Sequence, residues 1–520
     1  MKQLPFFIKH LKCLAGVAFI LLSCTVPAKE EYAYEYLYAD LPFEMPRVYP
    51  PVFPLREVAV TDFGGVGDGV TLNTEAFGKA IAALHRQGGG TLRVPGGIWL
   101  TGPIVFQSNI NLHLEKDAMI VFTPDFDAYP LVETFFEGLA TRRCQSPISG
   151  RDVENIAITG EGSINGSGEA WRPVKREKVT ESHWRKIIAS GGILKDENSW
   201  FPSGKSLKGA ALSEKNLNVP RRELTDAQWD SVKDFMRPAM VSFVRCKNVL
   251  LQGVLLENSP SWNLHPLMCE NIIIDRLLIR NPAYAMNGDG VDLESCKNAL
   301  IVNSIFDAGD DGICLKSGKD AEGRQRNMPT ENVVVDNCKV FNGHGGFVAG
   351  SEMSGGIRNV SVSRCGFIGT DVGLRFKSRR GRGGVVENIY IRNIYMTGIV
   401  ADAFLIDLYY MQAPDSERIA DGKRIAKQKK LPPVTEETPV FRNIYVNGVV
   451  SLNARRAMYF KGLPEKNISN VQVANVTISS RLGAELSEAD SITFRNVRIL
   501  PREGEALILN NVKNFNETNQ

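Results

Sequence analysis

The sequence has no CxxC pair, no excess of charge of either sign, few histidines, and no apolar run that would span a bilayer beyond one short stretch near its start. Each absence excludes something. With 61 Lys and Arg against 58 Asp and Glu over 520 residues, the net charge is only +3, so the basic signature of a nucleic-acid binder is missing. Cysteines 144, 246, 269, 296, 314, 338 and 365 make an odd set without ligand spacing, which argues against a structural zinc site and a disulfide-built fold. Long helical stripes are scarce, whereas 47 glycines punctuate short apolar runs, the pattern of an all-β chain rich in turns. At 43% hydrophobic and 23% charged residues, the chain is neither disordered nor a polytopic membrane protein.

Lys2, Lys9 and Lys12 precede the apolar stretch 14–22, which is too short to span comfortably and fits an export signal over residues 1–23. Ile20-Leu21-Leu22-Ser23-Cys24 resembles a lipoprotein cleavage box with Cys24 lipidated, and Val26-Pro27-Ala28 suits an ordinary signal peptidase equally well. The expected product is an exported monomer, periplasmic, envelope-associated or secreted, that meets a membrane only through a lipid anchor. Residues 24–56 read as a linker and 57–520 as a single domain.

That domain repeats. Cys246-Lys-Asn, Cys269-Glu-Asn and Cys296-Lys-Asn each lead into alternating aliphatic residues, and the same Asn-aliphatic step recurs at Asn155, Asn248, Asn271, Asn298, Asn332, Asn359, Asn388, Asn443 and Asn467. Each unit reads as two short strands and a glycine turn. Too small to bury its own apolar face, it must stack on its neighbours, which predicts a parallel β-helix solenoid with equivalent asparagines bonded along it and the cysteines buried beside them. Leucine-rich repeats are excluded by the missing L-x-x-L-x-L frame. An amphipathic helix at 74–85, capped by Asn73 or Thr74 and stopped by Gly88 to Gly90, should cover the first coil. The glycine-rich stretch from Asp62 to Gly69 lacks the phosphate-loop lysine and reads as a tight turn. Two interruptions break the repeat: 167–238, with Trp171, Trp184, Trp200, Trp229 and the basic run from Arg172 to Lys178, and 414–438, which reads as solvated surface.

Acids and bases gather in four successive units: Asn287-Gly288-Asp289-Gly290-Val291-Asp292, Gly309-Asp310-Asp311-Gly312, Gly343-His344-Gly345 and Arg375-Phe376-Lys377. In register, Asp289 falls on Asp311 and Gly312 on Gly373, while Asp310 and His344 each lie twelve residues after their unit's asparagine. One face should therefore carry them all. Three neighbouring carboxylates repel, so at least one should keep its proton near neutral pH, as acid and base cleavage of a glycosidic bond requires. Arg375 and Lys377 suit a carboxylated sugar. Singly these motifs are ordinary turn chemistry. The segment from Asp307 fails the calcium-loop frame at Gly309 and Gly318, so neither metal nor cofactor is expected.

In this order the motifs resemble those of the polygalacturonase family, glycoside hydrolase family 28. The resemblance implies a right-handed parallel β-helix that hydrolyses α-galacturonosidic linkages of pectic polysaccharide or oligogalacturonides with inversion. It makes Asp310 the general acid, has Asp289 and Asp311 activate water and His344 support the acid's protonation, and gives the sugar carboxylate to Arg375, Lys377 and Tyr410, with Tyr409 the alternative to Tyr410. Gly288, Phe376 and Gly312 depart from the family pattern without removing a reacting group. The expected gap between acid and base is the wide one of inverting enzymes, about 6.5 to 9.5 Å, and the 167–238 insertion is expected to wall one end of the groove for exo action. Rhamnogalacturonan hydrolysis, calcium-dependent pectate lyase action and non-catalytic polysaccharide binding are the alternatives.

Overall fold

The computed structural model describes residues 32–213, 218–220, 223–412 and 431–518, with the backbone of 419–420 and 423–424. The export segment and Cys24 lie outside the described residues, as does much of 414–438. Residues 32–39 form a small unit with a helical turn at Glu35–Leu37 and the Tyr32 and Tyr34 rings edge to face at 5.7 Å. Everything from Asp40 onward belongs to one body. The expected linker is thus structured from there: Val48 is fully buried and the Phe43 ring lies 6.1 Å from that of Tyr390.

Twenty-nine strands pair in parallel as a right-handed β-helix. Each coil holds three strands, not the two expected. In one coil they are Lys297–Val302, Ile305–Ala308 and Asp311–Lys316. The next coil repeats them as Thr330–Asp336, Lys339–Asn342 and Gly345–Gly350. Alternation turns Ala299, Ile301, Phe306, Ile313 and Leu315 into the cylinder, where Val333, Val335, Val340, Phe347 and Ala349 stack on them. Each large side chain so buried contributes roughly 1.5–3 kcal/mol, but only once a neighbouring coil covers it.

Ten asparagines, from Asn109 through Asn155, Asn248, Asn271, Asn298, Asn332, Asn359, Asn388 and Asn443 to Asn470, are linked by nine side-chain amide bonds of 2.9 to 3.3 Å. All have positive φ, between 49° and 66°, a region asparagine tolerates better than most residues. Asn470 holds the last place instead of Asn467, which turns aside to the Leu463 carbonyl. The seven described cysteines are free and buried.

The helix Thr74–Arg86 packs Ala76, Phe77, Ala80, Ile81 and Leu84 into the core beside the first coil. Neither expected cap acts as one: Asn73 bonds Val66, Thr71 and Leu100, and the Thr74 hydroxyl accepts from Gly102.

A hairpin, Leu131–Phe136 and Leu139–Cys144, precedes the strand Ile148–Arg151. Its tip reaches four coils further on, to the segment after Asp311–Lys316. There the Gly138 carbonyl accepts from Lys319, Ala140 donates to Glu322, and the Arg326 guanidinium lies 4.4 Å from the Phe135 ring. The 167–238 insertion lies alongside. Its four tryptophans are buried, Trp171 and Trp229 in one cluster and Trp184 and Trp200 in another that includes Tyr284.

Candidate active site

The third strands of successive coils, Leu264–Leu267, Val291–Glu294, Asp311–Lys316, Gly345–Gly350, Val372–Lys377 and Asp402–Asp407, form the sheet that carries the site. The registers expected from the sequence hold. Val291 pairs with Ile313, so Asp289 stands over Asp311, and Cys314 pairs with Val348, which pairs with Arg375. Facing oxygens of Asp289, Asp310 and Asp311 lie within 4.8 Å of one another. The wide gap expected between acid and base is therefore absent, because Asp310 stays close to the pair instead of turning aside at its flanking glycines.

Two glycines of the Gly-His-Gly motif leave room beside the aspartates. A Cβ on Gly345 would fall 3.2 Å from both Asp311 Oδ1 and Arg375 Cδ, filling the space through which they meet. Gly343, at φ 74°, brings its backbone against the Asp310 carbonyl, where a Cβ would lie 2.5 Å from that oxygen.

Charge divides the three carboxyls. Asp311 receives Arg375 Nη1 at 2.8 Å on one oxygen and Lys377 Nζ at 2.7 Å on the other. Burial works to raise its pKa, but Lys377 and Arg375 outweigh it and hold the group well below the ordinary carboxylate range. Asp310 Oδ1 lies 3.1 Å from His344 Nδ1 and accepts the Asp311 amide. Burial would raise this group too, yet the His344 hydrogen bond lowers it, and the same bond raises the imidazole's pKa. Asp289 Oδ1 has no hydrogen-bond partner among the described residues, and the charge of Lys316 only partly offsets its surroundings. Burial, then repulsion from Asp292, Asp310 and Asp311, pushes it well above the usual range. Of the three carboxyls, Asp289 is the one pushed toward its neutral form, while the hydrogen bond between Asp310 and His344 favours the charged form of each. With both Asp311 oxygens taken by cations, this cluster is a poor cation site.

Tyr410 completes the group, its ring 5.0 Å from Lys377 Nζ and 5.8 Å from Arg375 Cζ, whereas Tyr409 is buried against Arg380 and Lys461. All seven expected residues thus converge.

Other residues escaped the sequence reading. Lys178, at the end of the basic run, brings Nζ to 3.4 Å from His344 Nε2. Arg237, buried, donates to Asn287 Oδ1 and to the Met286 carbonyl, holding the loop before Asp289. Asp292, pushed up to about 8 by burial despite nearby Lys316, lies under the site with Lys316 bridging it to Glu352. Asp292 closes the motif that begins at Asn287 and shares the outward face of the strand Val291–Glu294 with Glu294.

The hairpin also makes the groove one-sided. Before the aspartates, the outward side chains His265 and Glu294 are 2% and 0% exposed, covered with Trp262, on which Phe136 stacks at 4.2 Å. Past them, Leu405, Asp407, Tyr459 and Lys461 on the same sheet stay partly open.

Comparison with known proteins agrees with this geometry. The profile of Glycosyl hydrolases family 28 matches residues 227–494. A Vitis vinifera protein named "Probable polygalacturonase" is 30% identical over 433 residues, 81% of this chain and 74% of the relative. An "Exo-poly-alpha-D-galacturonosidase" of Dickeya chrysanthemi is 27% identical over 458 residues, 85% of this chain and 71% of its own. Among solved structures, a hyperthermoactive exopolygalacturonase of Thermotoga maritima superposes with a TM-score of 0.71 at 33% identity, covering 88% of this chain and 95% of that one.

Proposed function

The chain belongs to glycosyl hydrolase family 28, and from that premise we propose that it hydrolyses α-galacturonosidic linkages of pectic chains from one end. The observation that carries the end-wise reading is the covered sheet before the aspartates. A polymer lying across Asp310 runs into Phe136, Trp262 and the hairpin on one side and finds open groove on the other. The wall is chiefly this hairpin, with the 167–238 insertion adding Lys178 at the acid. The similarity to exo-acting relatives supports the same reading.

The chemistry follows from the charges. A sugar carboxylate drawn to Arg375 and Lys377, with Tyr410 beside them, shares the positive charge that keeps Asp311 so weak a base, and Asp311 becomes more basic as the substrate seats. Water held between Asp311 and Asp289 loses a proton to Asp311 as its oxygen bonds to the anomeric carbon. The bond from that carbon to the glycosidic oxygen breaks, and Asp310 delivers the proton that His344 has held one hydrogen bond away. The close carboxyls match the roughly 5–5.5 Å of retaining enzymes better than the wider class, so inversion rests on the family resemblance alone. Export, with lipidation at Cys24 or ordinary cleavage, and action as a monomer belong to the same proposal.

Product analysis on defined homogalacturonan and rhamnogalacturonan oligosaccharides, once in EDTA and once with added Ca²⁺, tests it. Saturated products with new reducing ends from the homogalacturonan series are expected. Ultraviolet-absorbing unsaturated ends that require Ca²⁺ would make it a lyase, and no product at all a binding protein.

A further inference from the structure

If the covered side holds the chain end, the rest of the polymer must lie over the C-terminal coils. The row of turns that carries Asp310 and His344 continues there. His344 N donates to the Asp310 carbonyl, Asp371 N to Gly343, Val400 N to Thr370 and Arg455 N to Ile399. Ala454 then pairs with Ser480, which places Arg481 next to Arg455 on the following coil. Arg455 and Arg481 therefore stand four and five coils beyond Asp310, about 19 and 24 Å along the axis at about 4.8 Å per coil. With Arg502 they line an open depression of about 590 Å³ whose lining contains no acidic residue.

These cations are not all engaged elsewhere. Arg455 is exposed, and although its charge acts on Asp402, its side chain has no hydrogen bond or ion pair among the described residues. Arg481 pairs with Glu503 at 3.0 Å, but the two side chains are 64% and 55% exposed, a contact a polyanion can displace at little cost. Arg502 donates to Asn453 Oδ1 and has no ion pair among the described residues. Arg456, by contrast, is held between Asp402 and Glu485 and is left out.

We propose that Arg455, Arg481 and Arg502 form a distal anion track that binds the carboxylates of the polymer segment beyond the scissile bond. The inference rests on the end-wise galacturonan reading and deepens it. Each α-1,4-linked galacturonate advances a chain by about one coil rise, so the track meets sugars about four and five places past the cleavage point. Short substrates never reach it.

The test compares wild type with the Arg455→Gln/Arg481→Gln variant on trigalacturonate and on an oligogalacturonide long enough to cover all the C-terminal coils. The expected result is an unchanged kcat on both, an unchanged KM for trigalacturonate, and a KM for the long substrate raised about two- to tenfold, the scale of two exposed charge contacts. Arg455→Lys/Arg481→Lys should restore most of the loss, and added salt should raise the wild-type KM more for the long substrate than for the short one. Equal KM changes on both substrates, or none on the long one, would overturn the track. Trigalacturonate turnover reports the hydrolase reading and the variant's folding separately.

Discussion

His344 Nδ1 lies 3.1 Å from Asp310 Oδ1, one coil away, and the bond raises the imidazole's pKa while lowering that of the carboxyl. The pair holds one proton where a leaving oxygen can reach it through Asp310. Its favourable term for folding is complete above the ordinary Asp value of 3.8 and below the ordinary His value of 6.5. It is lost as pH falls through the lowered Asp310 pKa, or rises through the raised His344 one.

Asp310→Asn keeps the shape of the site and removes the group that delivers the proton. Turnover of an unactivated galacturonide should fall about 10²- to 10⁴-fold. Steady-state kinetics on the folded variant checks it, and near-wild-type kcat would remove Asp310 from the role of acid.

Lys178 faces His344 Nε2 at 3.4 Å and works against protonation of the ring. In Lys178→Met the imidazole holds its proton to higher pH, so the basic limb of kcat should move upward from its wild-type position above 6.5. A pH–rate profile decides; a limb that stays or moves down contradicts the assignment.

Beneath the site, Lys316 Nζ lies 3.0 Å from Glu352 and 3.4 Å from Asp292. Lys316→Met leaves both buried acids short of a partner and should cost about 3–5 kcal/mol of stability in denaturant titration. Pairing it with Glu352→Gln should recover part of the loss. A single variant as stable as wild type would mean the ammonium contributes nothing net.

Stereochemistry is the point on which distance and family resemblance part. Proton NMR of the first product, before it mutarotates, should show β-galacturonate from an α-linked substrate. Initial α product would assign the closely spaced aspartates to a covalent, retaining route.

Much of this architecture was legible because it is local. The Asn-aliphatic step reports a left-handed backbone position once per coil, and the register of Asp289 on Asp311 follows from repeated strand lengths. Where two steps fall close together, as in Asn467-Ile468-Ser469-Asn470-Val471, the pattern is degenerate, and only the bond to Asn443 selects Asn470. The hairpin left no such trace. Its strands alternate like any others, and nothing local says that Gly138 docks beside Lys319, so the burial of His265 and the closing of the groove stayed hidden. The separation of the aspartates was misjudged for a related reason: the glycines flanking Asp310 and Asp311 permit more than one turn.

The end-wise claim meets its most direct test in polygalacturonan digested while viscosity, reducing ends and first products are followed together. The account predicts one small saturated product from the earliest time and viscosity that falls slowly relative to reducing ends. An early collapse of viscosity with a ladder of oligomers would contradict it, showing that the chain passes over Phe136 and Trp262 after all.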